Sequence, residues 1–286
     1  MGTTTAARKI VVVPDAMPDV AGAMVWWELS GECREETAVA EWKADGHPDN
    51  LGPFAPGVVV ALKRAAKSLE ERHVFARQLA SGWAIFREVG GAKDAEDLQP
   101  TPVCTAKIDD QDVVAITPDG APESLRLRSA LEHHTGLMTS TDASLWIASK
   151  LVPAVQAIAL RDRGGFYFVP RTHLDQWRAF VATIRKMAPH TFREIPALQS
   201  ESAVEAILDA VLREAADEAE GMEKKIVDGD IGTRAIRTCR TRVERAAGKV
   251  KAYEDLLGKA MPEIQDRLGR LDASLAAAAL ATTAEG

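Results

Sequence analysis

The last third of the chain carries an apolar residue at every seventh position over six heptads. A repeat of this period predicts a long helix whose apolar seam must be covered by another helix. The predicted coiled-coil interface consists of Ile236, Val243, Val250, Leu257, Ile264 and Leu271. A second apolar series runs beside it, formed by Cys239, Ala246, Tyr253, Ala260, Leu268 and Leu275.

The segment before this seam is also predicted to be helical, because its apolar residues follow a 4–3 spacing. These residues are Val204, Leu208, Val211, Ala215, Met222 and Ile226. Gly229 and Gly232 flank a short stretch that is typical of a helix end and a new helix start. The sequence therefore predicts two helices, over residues 201–228 and 231–281, joined by a tight turn at 228–232.

Charge supports an antiparallel pairing of these two helices. Residues 201–230 carry 10 acidic and 3 basic side chains, whereas residues 231–251 carry 7 basic and 1 acidic. Each exposed pair contributes only about 0–1 kcal/mol, but together they favour this pairing over an acid-on-acid association. Pro262 is expected to kink the second helix. The apolar stripe beyond it can pack on the rest of the chain or on another chain, and we favour oligomerisation.

The composition is that of a folded protein with one large domain or two smaller ones, since 46% of the 286 residues are apolar and 27% are charged. A net charge of −7 argues against nucleic-acid binding by the whole surface of the chain, but it does not exclude binding by a local basic patch. Three cysteines without a CxxC spacing favour a reducing, cytoplasmic location. No stretch approaches the ~20 apolar residues of a membrane helix, so no membrane partner is predicted.

The predicted fold class is α+β, with a mixed head of short antiparallel strands and helices followed by the long helical hairpin. We divide the chain into an N-terminal α+β part (1–100), a second α+β part with a Gly-Gly aromatic strand (101–198) and the coiled-coil arm (199–286). A strand is expected at Lys9–Val13. A helix at Val58–Glu71 followed by a hairpin through residue 89 resembles a winged helix in its pattern.

A basic and aromatic segment is the strongest candidate binding surface. Residues 161–194 hold 7 basic and 3 acidic residues and 6 of the chain's 15 aromatics. Such a surface can bind a single strand through charge and base stacking. The candidate residues are Arg161, Arg163, Tyr167, Arg171, Arg178 and Arg185. The alternative interpretation, which ordinary burial trends favour, is that the aromatics are core and the arginines are solvated. Residues 62–87 are similarly basic, and there we favour a solvated helix face plus a hairpin.

No motif of catalysis or cofactor binding is present. The sequence lacks GxxxxGK[ST], GxGxxG, GxSxG and HExxH patterns. His133 and His134 are adjacent, so on a helix they point about 100° apart and do not suit one metal ion. The sequence therefore predicts no catalytic residue, no cofactor and no metal site, and the chain is not expected to be an enzyme.

The segment TDASLWIASKLVPAVQAIALRDRGGFYFVPR, residues 141–171, precedes a Trp-containing helix and the charged C-terminal coiled coil. This combination resembles an uncharacterised protein family of phage and actinobacterial genomes, over most of the chain. The resemblance implies a phage or mobile-element context. That family has no assigned function, so the resemblance implies no activity and no site residues.

Two hypotheses follow. The leading one is a non-enzymatic interaction or oligomerisation protein that self-associates or binds a protein partner through its coiled-coil arm. The alternative is a nucleic-acid-associated replication, recombination or regulatory factor that binds weakly through residues 161–193. The alternative requires the arginines of that segment to share one exposed face beside an open Tyr167.

Overall fold

The computed structural model describes residues 20–89, 99–161, 165–198, 200–227, 233–258 and 260–284. The strand expected at Lys9–Val13 lies outside the described residues. The chain forms two compact units. The first unit comprises the described residues of Met1–Glu28, Ala148–Val181 and Phe192–Gly286, and the second comprises those of Leu29–Ile147 and Ala182–Thr191. No described helix combines the length and the apolar character that a bilayer span requires.

Short strands and helices are interspersed along the described chain up to the three long C-terminal helices. The strands are β1 (Val20–Glu28), β2 (Glu32–Arg34), β3 (Val74–Leu79), β4 (Gly82–Val89), β5 (Gln99–Ile108), β6 (Val114–Thr117), β7 (Leu137–Thr139), β8 (Ile158–Ala159), β9 (Phe166–Pro170) and β10 (Thr191–Leu198). The helices are α1 (Glu35–Ala44), α2 (Val58–Ser68), α3 (Pro122–His134), α4 (Ser140–Trp146), α5 (Val152–Ala154), α6 (Leu174–Met187), α7 (Glu201–Val227), α8 (Thr233–Leu257) and α9 (Pro262–Ala284). A π-helical segment, Ile147–Leu151, joins α4 to α5.

The first unit is built on a four-stranded sheet with the order β10-β1-β9-β8. β1 and β9 are antiparallel and place Met24 opposite Phe168. Phe168 is fully buried and belongs to one apolar cluster with residues of α7, α8 and α9. Its ring lies 6.2 Å from that of Tyr253 on α8. The long helices therefore share a core with the sheet.

The prediction of one helix over 231–281 is wrong, because the chain leaves the helix at Gly258 and starts a new one at Pro262. Gly258 adopts a left-handed φ of 64°, and its N–H donates to the Glu254 carbonyl at 2.8 Å. This geometry is a helix C-cap that favours glycine. Proline, which has no N–H to satisfy, suits the first turn of the following helix.

The new helix folds back instead of extending the arm. Arg240 near the start of α8 contacts Asp272 far along α9, with Nε and Oδ1 3.4 Å apart, and Gln265 at the start of α9 donates to Glu254 near the end of α8. α8 and α9 are therefore antiparallel. α7 packs on both helices, so the C-terminal part is a three-helix assembly. The turn predicted at 228–232 lies outside the described residues.

The second unit contains an antiparallel sheet with the order β3-β4-β5-β6. α2 and α3 cover one face of it, where Leu62, Ile85 and Leu127 are buried. The hairpin predicted through residue 89 is confirmed as β3–β4, and β5 and β6 form a second hairpin. Gly82, at the β3–β4 turn, permits a close approach of β5, since a Cβ there would lie 1.9 Å from the Ala106 carbonyl oxygen. The mixed α+β class with antiparallel sheets is thus confirmed.

Candidate nucleic-acid interface

The aromatic residues of the predicted 161–193 surface pack on one another within the first unit. The ring of Tyr167 stacks on Trp27, with centroids 5.1 Å apart and an interplanar angle of 4°. Trp27 also contacts Trp177 at 5.9 Å and Phe192 at 6.3 Å. Trp177 is buried, and Tyr167 is half-buried. Burial raises the pKa of Tyr167, and the charge of Glu214 adds to the shift.

The arginines of that surface do not share one role. Arg178 forms an ion pair with Glu194, with Nη2 and Oε1 2.5 Å apart, so its charge is largely neutralised. Arg161 and Arg171 are exposed, but they follow opposite ends of the antiparallel β8–β9 ladder. They are therefore separated by roughly the 17 Å length of a five-residue strand. Arg185 is exposed on the part of α6 that belongs to the second unit. Arg163 lies outside the described residues.

The predicted coiled-coil seam lies in the interior of the first unit. Ile236, Val243, Val250, Ile264 and Leu271 are buried, and Leu257 is partly buried against the same apolar cluster. Leu268 and Leu275, beyond Pro262, are buried there as well. The seam is thus covered by helices of its own chain.

A different basic and aromatic surface lies on the second unit's sheet. Successive residues of a strand point to opposite faces, and Val74, Ala76 and Ile85 point to the core under α2 and α3. Their neighbours Phe75 and Phe86 therefore lie on the opposite face. We call this the outer face, and we define it by Phe75, Arg77, Leu79, Gly82, Ala84, Phe86, Glu88, Pro102, Thr105, Lys107, Ala115 and Thr117.

An aromatic pair and a cation form the centre of the outer face. Phe75 and Phe86 are directly opposite in the β3–β4 register. Their rings are stacked, with centroids 5.5 Å apart and an interplanar angle of 7°. The Arg77 guanidinium lies 5.0 Å from the Phe75 ring and 5.5 Å from the Phe86 ring, which is cation–π geometry. Both rings are half-buried, and Arg77 is exposed.

Polar residues continue the outer face across the other two strands. The register places Arg77, Ala84, Thr105 and Thr117 in one row across all four strands. The hydroxyl oxygens of Thr105 and Thr117 lie 2.8 Å apart. Lys107 occupies the next row and is exposed. Rows on one face are about 7 Å apart.

The outer face is locally positive. Arg77 and Lys107 make no ion pair with any of the described residues. Glu88, which lies on β4 near the aromatic pair, is 3.1 Å from Nδ1 of His73. The two cations are therefore available for a ligand in spite of the negative charge of the whole chain.

Sequence reasoning assigned this region to a hairpin and did not single out Phe75 and Phe86. The alternation of inward Val74 and Ala76 with outward Phe75 and Arg77 could have been read from the sequence. What the alternation does not reveal is which face the helices cover. In the part of the chain that the structure describes, no three His, Cys, Asp or Glu side chains form a group that could hold a metal ion.

The fold and the outer face define an α+β protein with an antiparallel sheet that presents aromatic and basic side chains. Residues 20–286 match a family of unknown function, DUF6744, and the chain belongs to that family. Membership of a family without an assigned function was predicted, and the phage or mobile-element context stays a prediction. No curated protein matches the chain, and no solved structure does either.

Proposed function

We propose that this chain is a non-enzymatic protein that binds single-stranded nucleic acid on its outer face. The observation that carries the proposal is the stacked pair of Phe75 and Phe86 with the Arg77 guanidinium over both rings. An antiparallel sheet with helices on one face and aromatic rings on the other is a platform on which unstacked bases can lie.

The chemistry of the outer face fits a strand better than a duplex. Base stacking on an aromatic ring contributes about 1–3 kcal/mol per base and tolerates any sequence. Arg77 and Lys107 can contact phosphates on either side of the stacked bases. The hydroxyls of Thr105 and Thr117 can hydrogen-bond to bases or sugars. Bases within a duplex do not expose their flat faces, so they cannot use the rings.

We expect the binding to be weak and sensitive to salt. The chain has a net charge of −7, so long-range attraction is absent and only local contacts draw the strand. If Arg77 and Lys107 each neutralise one phosphate, log K should fall with log salt with a slope of about −1.4, from −0.7 per contact on single strands.

This surface is a stronger candidate than residues 161–193. There, Glu194 neutralises Arg178 and Trp27 covers one face of the Tyr167 ring. Arg161 and Arg171 remain exposed, and they are the residues on which the alternative interface would depend. The two interfaces can therefore be separated by substitution.

The test is fluorescence anisotropy of a labelled, roughly 20-nucleotide single strand at about 50 mM salt, where phosphate contacts are least screened. Phe86→Leu removes a stacking ring while keeping an apolar side chain, and it should weaken binding by about 1–3 kcal/mol. Phe75→Tyr retains the ring and should bind as the wild type does. Arg171→Glu, on the other interface, should change little. Thermal melting of each variant checks that it folds.

Two results would overturn the proposal. One is no retention of DNA or RNA single strands by the wild-type chain at ~50 mM salt. The other is loss of binding in Arg161→Glu and Arg171→Glu while Phe86→Leu binds normally, which would move the interface to the 161–193 surface. Equal affinity for single strand and duplex would also argue against base stacking.

Self-association or a protein partner through the coiled-coil arm stays a second hypothesis. Because the seam residues are covered within the chain, association would have to use the outer sides of the helices. A groove of about 550 Å³ between α8 and α9, lined in part by Val243, Ala247, Leu268 and Gly269, is the feature that favours it. Light scattering of the full chain tests this hypothesis, and a monomer at all accessible concentrations would exclude self-association.

A further inference from the structure

A cleft in the first unit has the composition of a small-molecule site. Its volume is about 560 Å³, within the range of roughly 300–1,000 Å³ that ligand pockets occupy. It lies where the end of α5 and strands β8 and β9 meet α7 and α8. Small residues form nearly half of its lining and leave room for a ligand: Ala148, Ala154, Ala157, Ala159, Ala246 and Gly248.

Two cations of α8 face this cleft. Arg245 and Lys249 both line it and are four residues apart, so they occupy the same side of the helix. The Lys249 ammonium donates to the Ala157 carbonyl oxygen at 2.8 Å and to the Glu214 carboxylate, which leaves one of its three donors. Arg245 is exposed and has no ion pair or hydrogen bond to a side chain among the described residues. One carboxylate thus opposes two cations.

The walls of the cleft are held in place by contacts that do not need a ligand. Gln156 adopts a left-handed φ of 52° and ends α5, where the Ala157 N–H donates to the Val152 carbonyl at 3.0 Å. The Gln156 carbonyl accepts from the hydroxyl of the buried Tyr253 at 2.9 Å. α8 therefore anchors the rim at two successive carbonyls, through Lys249 and Tyr253, so that Lys249 is positioned in advance.

Tyr167 supplies a further polar group. It lines the cleft, and its ring is fixed by stacking on Trp27. Burial raises its pKa, and the Glu214 charge adds to this, so the phenol stays protonated near neutral pH and can donate a hydrogen bond. An aromatic wall, small apolar residues and convergent donors are the usual features of a binding site.

We infer that this cleft binds a small organic molecule through a phosphate or carboxylate group, held between Arg245 and Lys249 while the body of the molecule lies against the alanine wall. Arginine matches the geometry of both oxyanions with paired N–H donors, and lysine adds a point charge. The inference is independent of the proposed function, because the outer face belongs to the other unit.

The experiment is isothermal titration of the full chain with two probes, adenosine monophosphate for an organic phosphate and glutarate for a carboxylate. Saturable binding of either supports the site and identifies which oxyanion it prefers. Adenosine, which lacks the charge, should bind at least about tenfold more weakly than its monophosphate, since charge-assisted bonds are lost. No binding of either probe at millimolar concentration overturns the inference.

Matched variants locate the site. Arg245→Gln should weaken binding about tenfold or more, whereas Arg242→Gln, three residues earlier and also exposed, should not. Gly248→Leu should block the cleft. A Cβ at Gly248 would meet no atom within 4 Å, so the fold tolerates this change, and melting confirms it. Phe86→Leu should leave the titration unchanged. Binding that survives Arg245→Gln and Gly248→Leu, or that is lost in Phe86→Leu, would place the probe elsewhere and overturn the inference.

Discussion

The two four-stranded sheets of this protein each carry a stacked aromatic pair, and the pairs differ in what surrounds them. In the first unit, Trp27 and Tyr167 stack at 5.1 Å and join a larger cluster that includes the buried Trp177. In the second unit, Phe75 and Phe86 stack at 5.5 Å on the face opposite α2 and α3, with the Arg77 guanidinium over them. All four rings are half-buried, but the first pair packs against a buried tryptophan and the second against an exposed arginine.

The difference shows why a basic and aromatic composition is weak evidence for a nucleic-acid interface. Both segments are rich in arginine and in aromatic residues. In the first, Arg178 is neutralised by Glu194. In the second, Arg77 has no carboxylate partner among the described residues. An accessible aromatic ring and a cation without a carboxylate partner are the properties that a nucleic-acid strand needs, and neither follows from composition.

The largest loss of folding stability is expected from a substitution in the buried apolar cluster of the first unit. Val250→Asp places a charge in the apolar cluster that also holds Phe168. An unpaired buried charge costs several kcal/mol, so the first unit should unfold at a much lower denaturant concentration. Lys251→Asp, one residue further and exposed, is the control. Equal losses for the two variants in chemical denaturation would contradict the observed burial.

A second pair of substitutions compares the two aromatic clusters directly. Trp177→Ala removes a buried ring with two aromatic neighbours and should lower the free energy of unfolding by about 3–5 kcal/mol. Phe75→Ala removes a half-buried ring whose loss leaves no closed cavity, and it should cost about 1 kcal/mol. Chemical denaturation of both variants measures the contrast. A larger loss for Phe75→Ala would mean that the outer face is structural.

Local elements were predictable where local signals specify them. The helix predicted at Val58–Glu71 begins where α2 begins and the hairpin after it is present as β3–β4, because α2 has an amphipathic pattern of its own. The pairing of β1 with β9 joins residues about 140 positions apart, and no local signal specifies such a partner. The order of the strands could therefore not be predicted from the sequence.

The sequence does contain a signal for the break in the C-terminal helix, but the heptad period is the stronger pattern. Gly258 followed by Pro262 is the usual asymmetry of a helix end and a helix start. Leu257 and Ile264 nevertheless keep the heptad spacing across the break, and the continuous period favoured one helix. Both residues pack against the same cluster. The heptad spacing therefore reflects a shared core and does not require one continuous helix.

A smaller effect is expected from substituting two arginines with different surroundings, Arg77 and Arg178. Arg77→Gln should weaken single-strand binding by about 1 kcal/mol and reduce the salt slope by about 0.7, the value for one phosphate contact. Arg178→Gln should leave both unchanged, because Glu194 already holds that guanidinium. The measurement is anisotropy over a series of salt concentrations. A reduced slope for Arg178→Gln would show that the first unit also contacts the strand.

The smallest expected effect is a loss of stability at acidic pH, and it should be confined to the second unit. His190 is 8% exposed, its Nδ1 accepts from the Ser30 N–H at 3.3 Å, and burial lowers its pKa. A lowered pKa means that the folded state binds fewer protons than the unfolded one. The resulting stability is present above the ordinary histidine pKa of about 6.5 and is lost as the pH falls through the folded value.

Melting between pH 7.5 and 5.5 should therefore show a decline in stability that His190→Gln reduces, since a glutamine carbonyl can still accept from Ser30 without gaining a proton. Some decline should remain, because burial also lowers the pKa of His47 and His134 in the same unit. An identical pH dependence in wild type and His190→Gln would show that His190 can be protonated in place, and that this interior is less closed than the one around Trp177.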